Sequence, residues 1–309
     1  MPLVPRHIQE LQSYKPGQNI AEIQRKLGLD KIIKLASNEN PFGPSPLALE
    51  AVKQNLKENF RYPDAAAILL REKLAEKFDL TISNVTVGAG SEGVMSAIMR
   101  TFLRQGDEII GAENSFIGFR VLANASGNRI NWVPLKNYRH DLEAMTKCIN
   151  EYTKLIYLAN PDNPTGTYFT IDEFDEFMNR VPERVLIILD EAYFEYAQHL
   201  DDYPDSMHYR YDNVITLRSF SKAHGLAGFR AGYGFAHEDL IENLPSSAGC
   251  VLVTHDMPQA RAWCNRAIVM LEGRIVEELS LPDGQPTHPY ARMLFDPWGE
   301  HDFSQSTAT

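Results

Sequence analysis

The chain has 309 residues, 44% of them hydrophobic, enough for a sizeable core in one large or two smaller domains. Its 41 acidic against 30 basic residues give a net charge of −11, and without a Lys/Arg block that balance argues against a nucleic-acid binder. Cys148, Cys250 and Cys264 form no C-x-x-C and no apolar run nears the ~18 residues of a membrane span, so a cytoplasmic protein with no disulfide framework, metal site or membrane anchor is expected.

Along the chain, Ser45 and Pro46 form an N-cap and N1 pair that opens a helix through Leu49, Val52 and Leu56. From about residue 80 to 236, short apolar runs alternate with helical stretches. The expected strands are Val85–Gly88, Glu108–Gly111, Arg129–Pro134, Leu155–Ala159, Val185–Asp190, Val214–Arg218 and Ala231–Ala236. Several are unbroken and β-branched, as strands covered on both faces should be. Ser91 is expected to cap a helix carrying Val94, Met95, Ile98 and Phe102 on one side. Thr170 to Glu173 is a T-x-x-E capping box, followed by Phe174, Phe177 and Met178 on one face. Strand–helix alternation predicts a mainly parallel α/β sheet, which binds ligands at the carboxyl ends of its strands.

Those ends carry Gly88-Ala-Gly-Ser-Glu92, Asn160-Pro-Asp-Asn-Pro-Thr-Gly166, Asp190-Glu-Ala-Tyr193 and Ser219-Phe-Ser-Lys222, with Arg230 eight residues after Lys222. Singly each has a plain reading. A Gly-rich strand-to-helix turn is common, N-P-T-G is often only a turn, an Asp ending a strand suits a metal ligand, and a lone Lys is usually solvated. In this order, each at a strand end, they are specific.

The set resembles the fold-type I pyridoxal 5′-phosphate (PLP) enzymes of the aspartate aminotransferase superfamily, and within them the histidinol-phosphate aminotransferases. The likeness rests on Lys34-Leu-Ala-Ser-Asn-Glu-Asn-Pro-Phe-Gly-Pro44, Arg61-Tyr-Pro-Asp64, Asn160 to Gly166, and Arg218-Ser-Phe-Ser-Lys-Ala-His-Gly-Leu-Ala-Gly-Phe-Arg230, and covers about residues 15–244. It implies a large domain over 46–244 with a mainly parallel seven-stranded sheet and flanking helices. Residues 1–45 would be an N-terminal arm and part of a truncated small domain.

The same resemblance implies site roles. Lys222 would hold PLP as a Schiff base and move protons. Asp190 would keep the pyridine nitrogen protonated. Asn163 and Tyr193 would hydrogen-bond the phenolic oxygen. Ser91 and Glu92, at a helix start, with Ser219 and Arg230, would bind the phosphate dianion. Phe116 would stack on the ring, although core packing accounts for it equally well. Tyr62 would reach the phosphate of a neighbouring subunit, which implies a homodimer. Asn40 would face substrate. Ser221 is expected to be structural, and His224 no proton carrier, since the lysine does that work. The implied reaction moves an amino group between histidinol phosphate and 2-oxoglutarate, yielding glutamate, in histidine biosynthesis. Another aminotransferase or a threonine-phosphate decarboxylase of the same branch, or a non-catalytic remnant, stays open.

Beyond Leu244 the pattern changes. Residues from about 246, including Val251–Thr254, His255, Gly273-Arg-Ile-Val-Glu-Glu278 and His288-Pro-Tyr, resemble the C-terminal end of an ABC-transporter ATPase of the oligopeptide-importer type. The chain has no G-x-x-x-x-G-K-[ST] and no L-S-G-G-Q, so ATPase activity is not expected. Residues 245–309 are therefore expected to be an unrelated tail that does not complete the small domain.

Overall fold

The computed structural model describes residues 5–9, 20–58, 60–205, 210–244, 266–271, 274–280, 285–287 and 291–292. The chain divides into two units, Met1–Gly249 and Cys250–Thr309.

The first unit is built on strands β1 (Val85–Ala89), β2 (Glu108–Ala112), β3 (Arg129–Val133), β4 (Thr153–Ala159), β5 (Leu186–Asp190), β6 (Val214–Ser219) and β7 (Ala231–Phe235). Every expected strand is present, with ends moved by at most two residues. They form one sheet in the order β1-β7-β6-β5-β4-β2-β3. β7 runs antiparallel to both β1 and β6, and all other neighbours are parallel.

The sheet is covered on both faces, and the two-residue period of a strand shows in its core. Leu155, Tyr157 and Ala159 of β4, with Leu186 and Ile188 of β5, join one cluster; Ile156, Leu158, Ile187 and Leu189 join the other. Helices α5 (Gly90–Phe102) and α6 (Ile117–Ser126) lie on the first face, through Val94, Met95, Ile98, Phe119 and Ala123. Helices α7 (Leu142–Lys147) and α8 (Ile171–Met178) lie on the second, through Met145, Phe174, Phe177 and Met178. Each of the larger of these buried side chains is worth roughly 1.5–3 kcal/mol of transfer free energy. The capping box of α8 forms as expected: Glu173 N–H donates to Thr170 Oγ1 at 3.3 Å, and Thr170 N–H to Glu173 Oε2 at 2.7 Å.

Two expected caps differ. Helix α5 begins one residue before Ser91, because Gly90 takes φ +75° and makes the turn out of β1. Ser91 therefore lies in the first turn and offers its backbone N–H. Ser45 holds the cap position of α3 (Pro46–Asn55), but its hydroxyl makes no capping bond.

Before the sheet come α1 (Arg6–Gln9), α2 (Ile20–Leu27), α3 and α4 (Ile68–Phe78). Leu74 and Ala75 of α4 pack with Val85, Tyr233 and Phe235. In contrast, α3 has no buried residue, and Leu35 (90%), Phe42 (95%), Leu47 and Tyr62 (100%) stand exposed around it in sequence. Helix α9 (Phe194–Ala197) lies between β5 and β6, and after β7 the described part of the first unit ends with α10 (Glu238–Glu242). In the second unit the described residues include an antiparallel hairpin of β8 (Arg266–Leu271) and β9 (Arg274–Ser280). Val251–Thr254 and His255 lie outside the described residues. Among the described residues, no helix is long and apolar enough to cross a membrane, and no group of three or more His, Cys, Asp and Glu could hold a metal.

Candidate active site

Topology brings the singled-out residues to one edge. β1, β4, β5 and β6 end at Ala89, Ala159, Asp190 and Ser219; the antiparallel β7 begins there, so Arg230, just before it, arrives at the same edge. A cavity of about 240 Å³ opens at this edge. Ser91, Glu92, Phe116, Asn163, Asp190, Tyr193, Ser219, Lys222 and Arg230 all line it. Five separate chain segments thus meet around one small volume, as a ligand pocket requires.

Asp190 continues the face of Leu186 and Ile188, so its buried carboxylate points to the α5 side. Tyr157, on the same face of β4, donates to Oδ2 at 2.9 Å, and Ala192 N–H donates to Oδ1 at 3.2 Å. Burial outweighs both bonds and pushes the carboxyl up to about 6. A cationic ring nitrogen placed beside it would be held protonated.

Lys222 is half-buried. Burial lowers its ammonium below the ordinary lysine range, and Arg230 adds to this against the pull of Glu39 and Asp190. A larger share of free amine results, which is the form that attacks a carbonyl. Its Nζ donates to Ser37 O at 3.1 Å and lies 5.7 Å from the Tyr193 ring centre.

The anion cradle depends on two glycines. A Cβ at Gly90 would meet the Arg230 guanidinium at 2.8 Å, and one at Gly232 would meet Gly90 C and Ser91 N at 2.3 Å. Their absence of side chains lets the start of α5, with its unsatisfied N–H groups and positive dipole end, lie against β7 and Arg230. Arg230 is steadied by Ala227 O at 3.2 Å and Ser221 Oγ at 3.5 Å. Ser221 thus lines the cavity and supports its arginine, a contact that the structural role expected from sequence did not specify. His224 instead pairs with Glu195 at 3.0 Å and does not line the cavity.

A strap from the N-terminal segment crosses this lysine loop. Asn38 donates to Tyr193 OH at 2.8 Å, and Gly225 (φ +67°) leaves no room for a side chain against Gly43 and Pro44. Asn40 is absent from the cavity lining: its amide donates to Ala223 O at 2.7 Å, so it ties the strap to the residue after Lys222. Tyr62 does not line the cavity either, and is fully exposed in the single chain. Ser37, Glu39, Tyr157 and Ser221 line the cavity without having been assigned there from sequence. For Tyr157 a signal existed: it lies two residues before Ala159, which pairs with Asp190.

A buried carboxylate, a lysine held below its ordinary range, and helix-start amides beside an arginine at the carboxyl edge of such a sheet match the fold-type I PLP transferases. The family model for aminotransferase class I and II matches residues 30–268, past the point near 244 where the sequence motifs stop. Histidinol-phosphate aminotransferase 2 of Carboxydothermus hydrogenoformans is 42% identical over 246 residues, covering 79% of this chain and 68% of its own length. The namesake of Hydrogenovibrio crunogenus is 45% identical over 237 residues, covering 76% and 63%. The crystal structure of histidinol-phosphate aminotransferase from Sinorhizobium meliloti in complex with PLP matches with a TM-score of 0.70 at 30% identity, over 78% of this chain and 65% of that one. The chain belongs to the aminotransferase class I and II family, whose cofactor is PLP. It spans about two thirds of the length of these relatives.

Proposed function

We propose that this chain is a histidinol-phosphate aminotransferase in kind, moving an amino group between histidinol phosphate and 2-oxoglutarate. The observation that carries the reading is the convergence of Lys222, Asp190, Asn163, Tyr193, Ser219, Arg230 and the Ser91 amide on one cavity. The names of its relatives supply the substrate.

PLP supplies, when bound, the electron sink that lets an amino group leave its carbon. Lys222 would anchor it, and its amine, freed on reaction, would be the group that moves a proton. Asp190 holds the ring-nitrogen proton. Asn163 and Tyr193 would donate to the phenolic oxygen, with Tyr193 steadied by Asn38. Ser91 N–H, the Glu92 amide, Ser219 and Arg230 would hold the phosphate, and Phe116 would lie against the ring. Asn40 serves the substrate side indirectly, by fixing the strap beside the lysine loop.

The exposed apolar side chains of residues 33–62 and the fully exposed Tyr62 support a homodimer in which Tyr62 completes the partner's phosphate site. A cytoplasmic location suits a biosynthetic enzyme. We read residues 245–309 as a separate piece, related by motif to an ABC ATPase terminus and without a site of its own.

The test is direct. The purified chain, given PLP, should gain absorbance at roughly 410–430 nm, an approximate property of the cofactor joined to a lysine. In a single turnover, histidinol phosphate should bleach it and 2-oxoglutarate restore it. Bleaching by threonine phosphate with release of CO₂ would redirect the reading to a decarboxylase. No uptake of PLP would reduce the chain to a remnant.

A further inference from the structure

Behind the cavity lies a second polar cluster that no role above uses. Asp162 is buried, and its carboxylate is met from three directions. Ser115 Oγ donates to Oδ1 at 2.5 Å, His140 Nε2 approaches Oδ1 at 3.2 Å, and Thr165 Oγ1 donates to Oδ2 at 2.8 Å. Burial pushes this carboxyl up, but the bonds from His140, Ser115 and Thr165 bring it below the ordinary range. The group is therefore ionised and accepts only, so His140 Nε2 carries the hydrogen. Both side chains of the Asp162–His140 pair are 1% exposed.

The three donors come from three loops. Thr165 belongs to the turn of Asp162 itself, closed by Asp162 N–H on Thr167 O (2.8 Å) and Gly166 N–H on Asp162 O (2.9 Å). Asn163, next in that turn, lines the cavity. Ser115 precedes Phe116, which lines the cavity from the start of α6. His140 belongs to the connection between β3 and α7. A single buried charge thus joins the turn that presents Asn163 to the loop that presents Phe116.

We propose that Asp162, with His140 behind it, is a positioning residue that sets Asn163 and Phe116 against the cofactor without touching it. The claim rests on the PLP reading. A carboxylate suits the task because it accepts several donors at once in a dry site, which a neutral amide cannot match with one acceptor oxygen. Loosening it lets Asn163 drift from the phenolic oxygen. That raises the pH midpoint of the lysine-bound cofactor's absorbance, since the bond favours the form with charge on that oxygen.

The experiment compares D162N and S115A with N163A, and with T170A, whose capping box does not line the cavity. For each full-length protein, PLP affinity is read by absorbance titration and the pH midpoint of the bound chromophore by pH titration. D162N and S115A should weaken PLP binding on the order of tenfold, the effect of one lost hydrogen bond to a charged group, and raise the midpoint as N163A does. T170A should lose thermal stability alone. S115A removes one donor from an otherwise satisfied carboxylate, so it carries the test if D162N does not fold. Unchanged affinity and midpoint in S115A, beside a shifted N163A, would overturn the proposal. Wild-type protein that takes up no PLP would overturn the cofactor reading, and this proposal with it.

Discussion

Gly232 is a sharp point at which to perturb the site. It lies inside β7, paired with Gly88 and Ser219. A Cβ there would meet the backbone of Gly90 and Ser91 at 2.3 Å, where ordinary contact begins at 3.4 Å. Because the obstacle is backbone, no side chain can swing aside, and the start of α5 must retreat by about 1 Å. Overpacking of this kind costs roughly 1–3 kcal/mol of stability. A ~1 Å retreat also takes an N–H···O bond of about 2.9 Å beyond hydrogen-bonding distance. A lost bond to a charged phosphate is worth roughly 1.5–3 kcal/mol, or about tenfold to a hundredfold in affinity. Gly232→Ala should therefore weaken PLP binding by that factor and lower the urea midpoint of the cofactor-free protein. Gly228→Ala, with nothing within 4 Å of its Cβ, should do neither. Absorbance titration with PLP decides it: wild-type affinity in Gly232→Ala would refute the idea that the α5 amides hold the phosphate.

Borohydride reduction of the PLP-loaded chain followed by peptide mapping should label Lys222, and a label on any other lysine would sink that assignment. Asp190 makes the cofactor-free fold sensitive to pH. Its carboxyl is raised from 3.8 to about 6, so the folded state binds this proton more tightly than the unfolded chain. The resulting destabilisation is absent below about pH 4 and grows to about 3 kcal/mol above pH 6, from (6 − 3.8) × ~1.4. Without cofactor, Asp190→Asn should thus match the wild type in urea unfolding at pH 4 and exceed it at pH 7, while losing PLP affinity; a variant weaker than wild type at pH 7 would contradict this. Thr170→Ala should cost ~1 kcal/mol of stability through the lost cap, read by thermal melting. Turnover of histidinol phosphate is expected below ~10⁴ M⁻¹s⁻¹ in kcat/KM, the floor of the ordinary enzyme range, because on the proposed reading residues 245–309 do not complete the small domain; steady-state kinetics at or above that value would refute it.

The sheet was legible because its strands are buried on both faces, and β-branched runs such as Val185–Asp190 have few other solutions. The residues that line the cavity were largely legible because most of them sit in short motifs at strand ends. What sequence missed is held by contacts far apart in the chain. Ser37 and Asn38 take positive φ without being glycine, and their partners Lys222 and Tyr193 lie more than 150 positions away. In the sequence Asp162 is only one member of a turn motif, since the convergence of Ser115 and His140 on it depends on how three loops pack. The start of α5 was misplaced by two residues because a serine before an apolar face is a strong cap signal, whereas the cap is Ala89 and only the geometry reveals Gly90 as the turning residue.

The alternation of β4 and β5 between the two cores has a consequence for how this site can vary. Asp190 reaches the cavity because it shares parity with Leu186 and Ile188, and Tyr157 meets it because it shares parity with Ala159. Substitutions leave that parity intact. Loss or gain of one residue within either strand inverts it, turning every following side chain to the opposite core and sending the carboxylate toward α8. The chemistry is thus written in an odd-or-even code that tolerates changes of letter and forbids changes of count, so length variation among functional descendants must be confined to the loops.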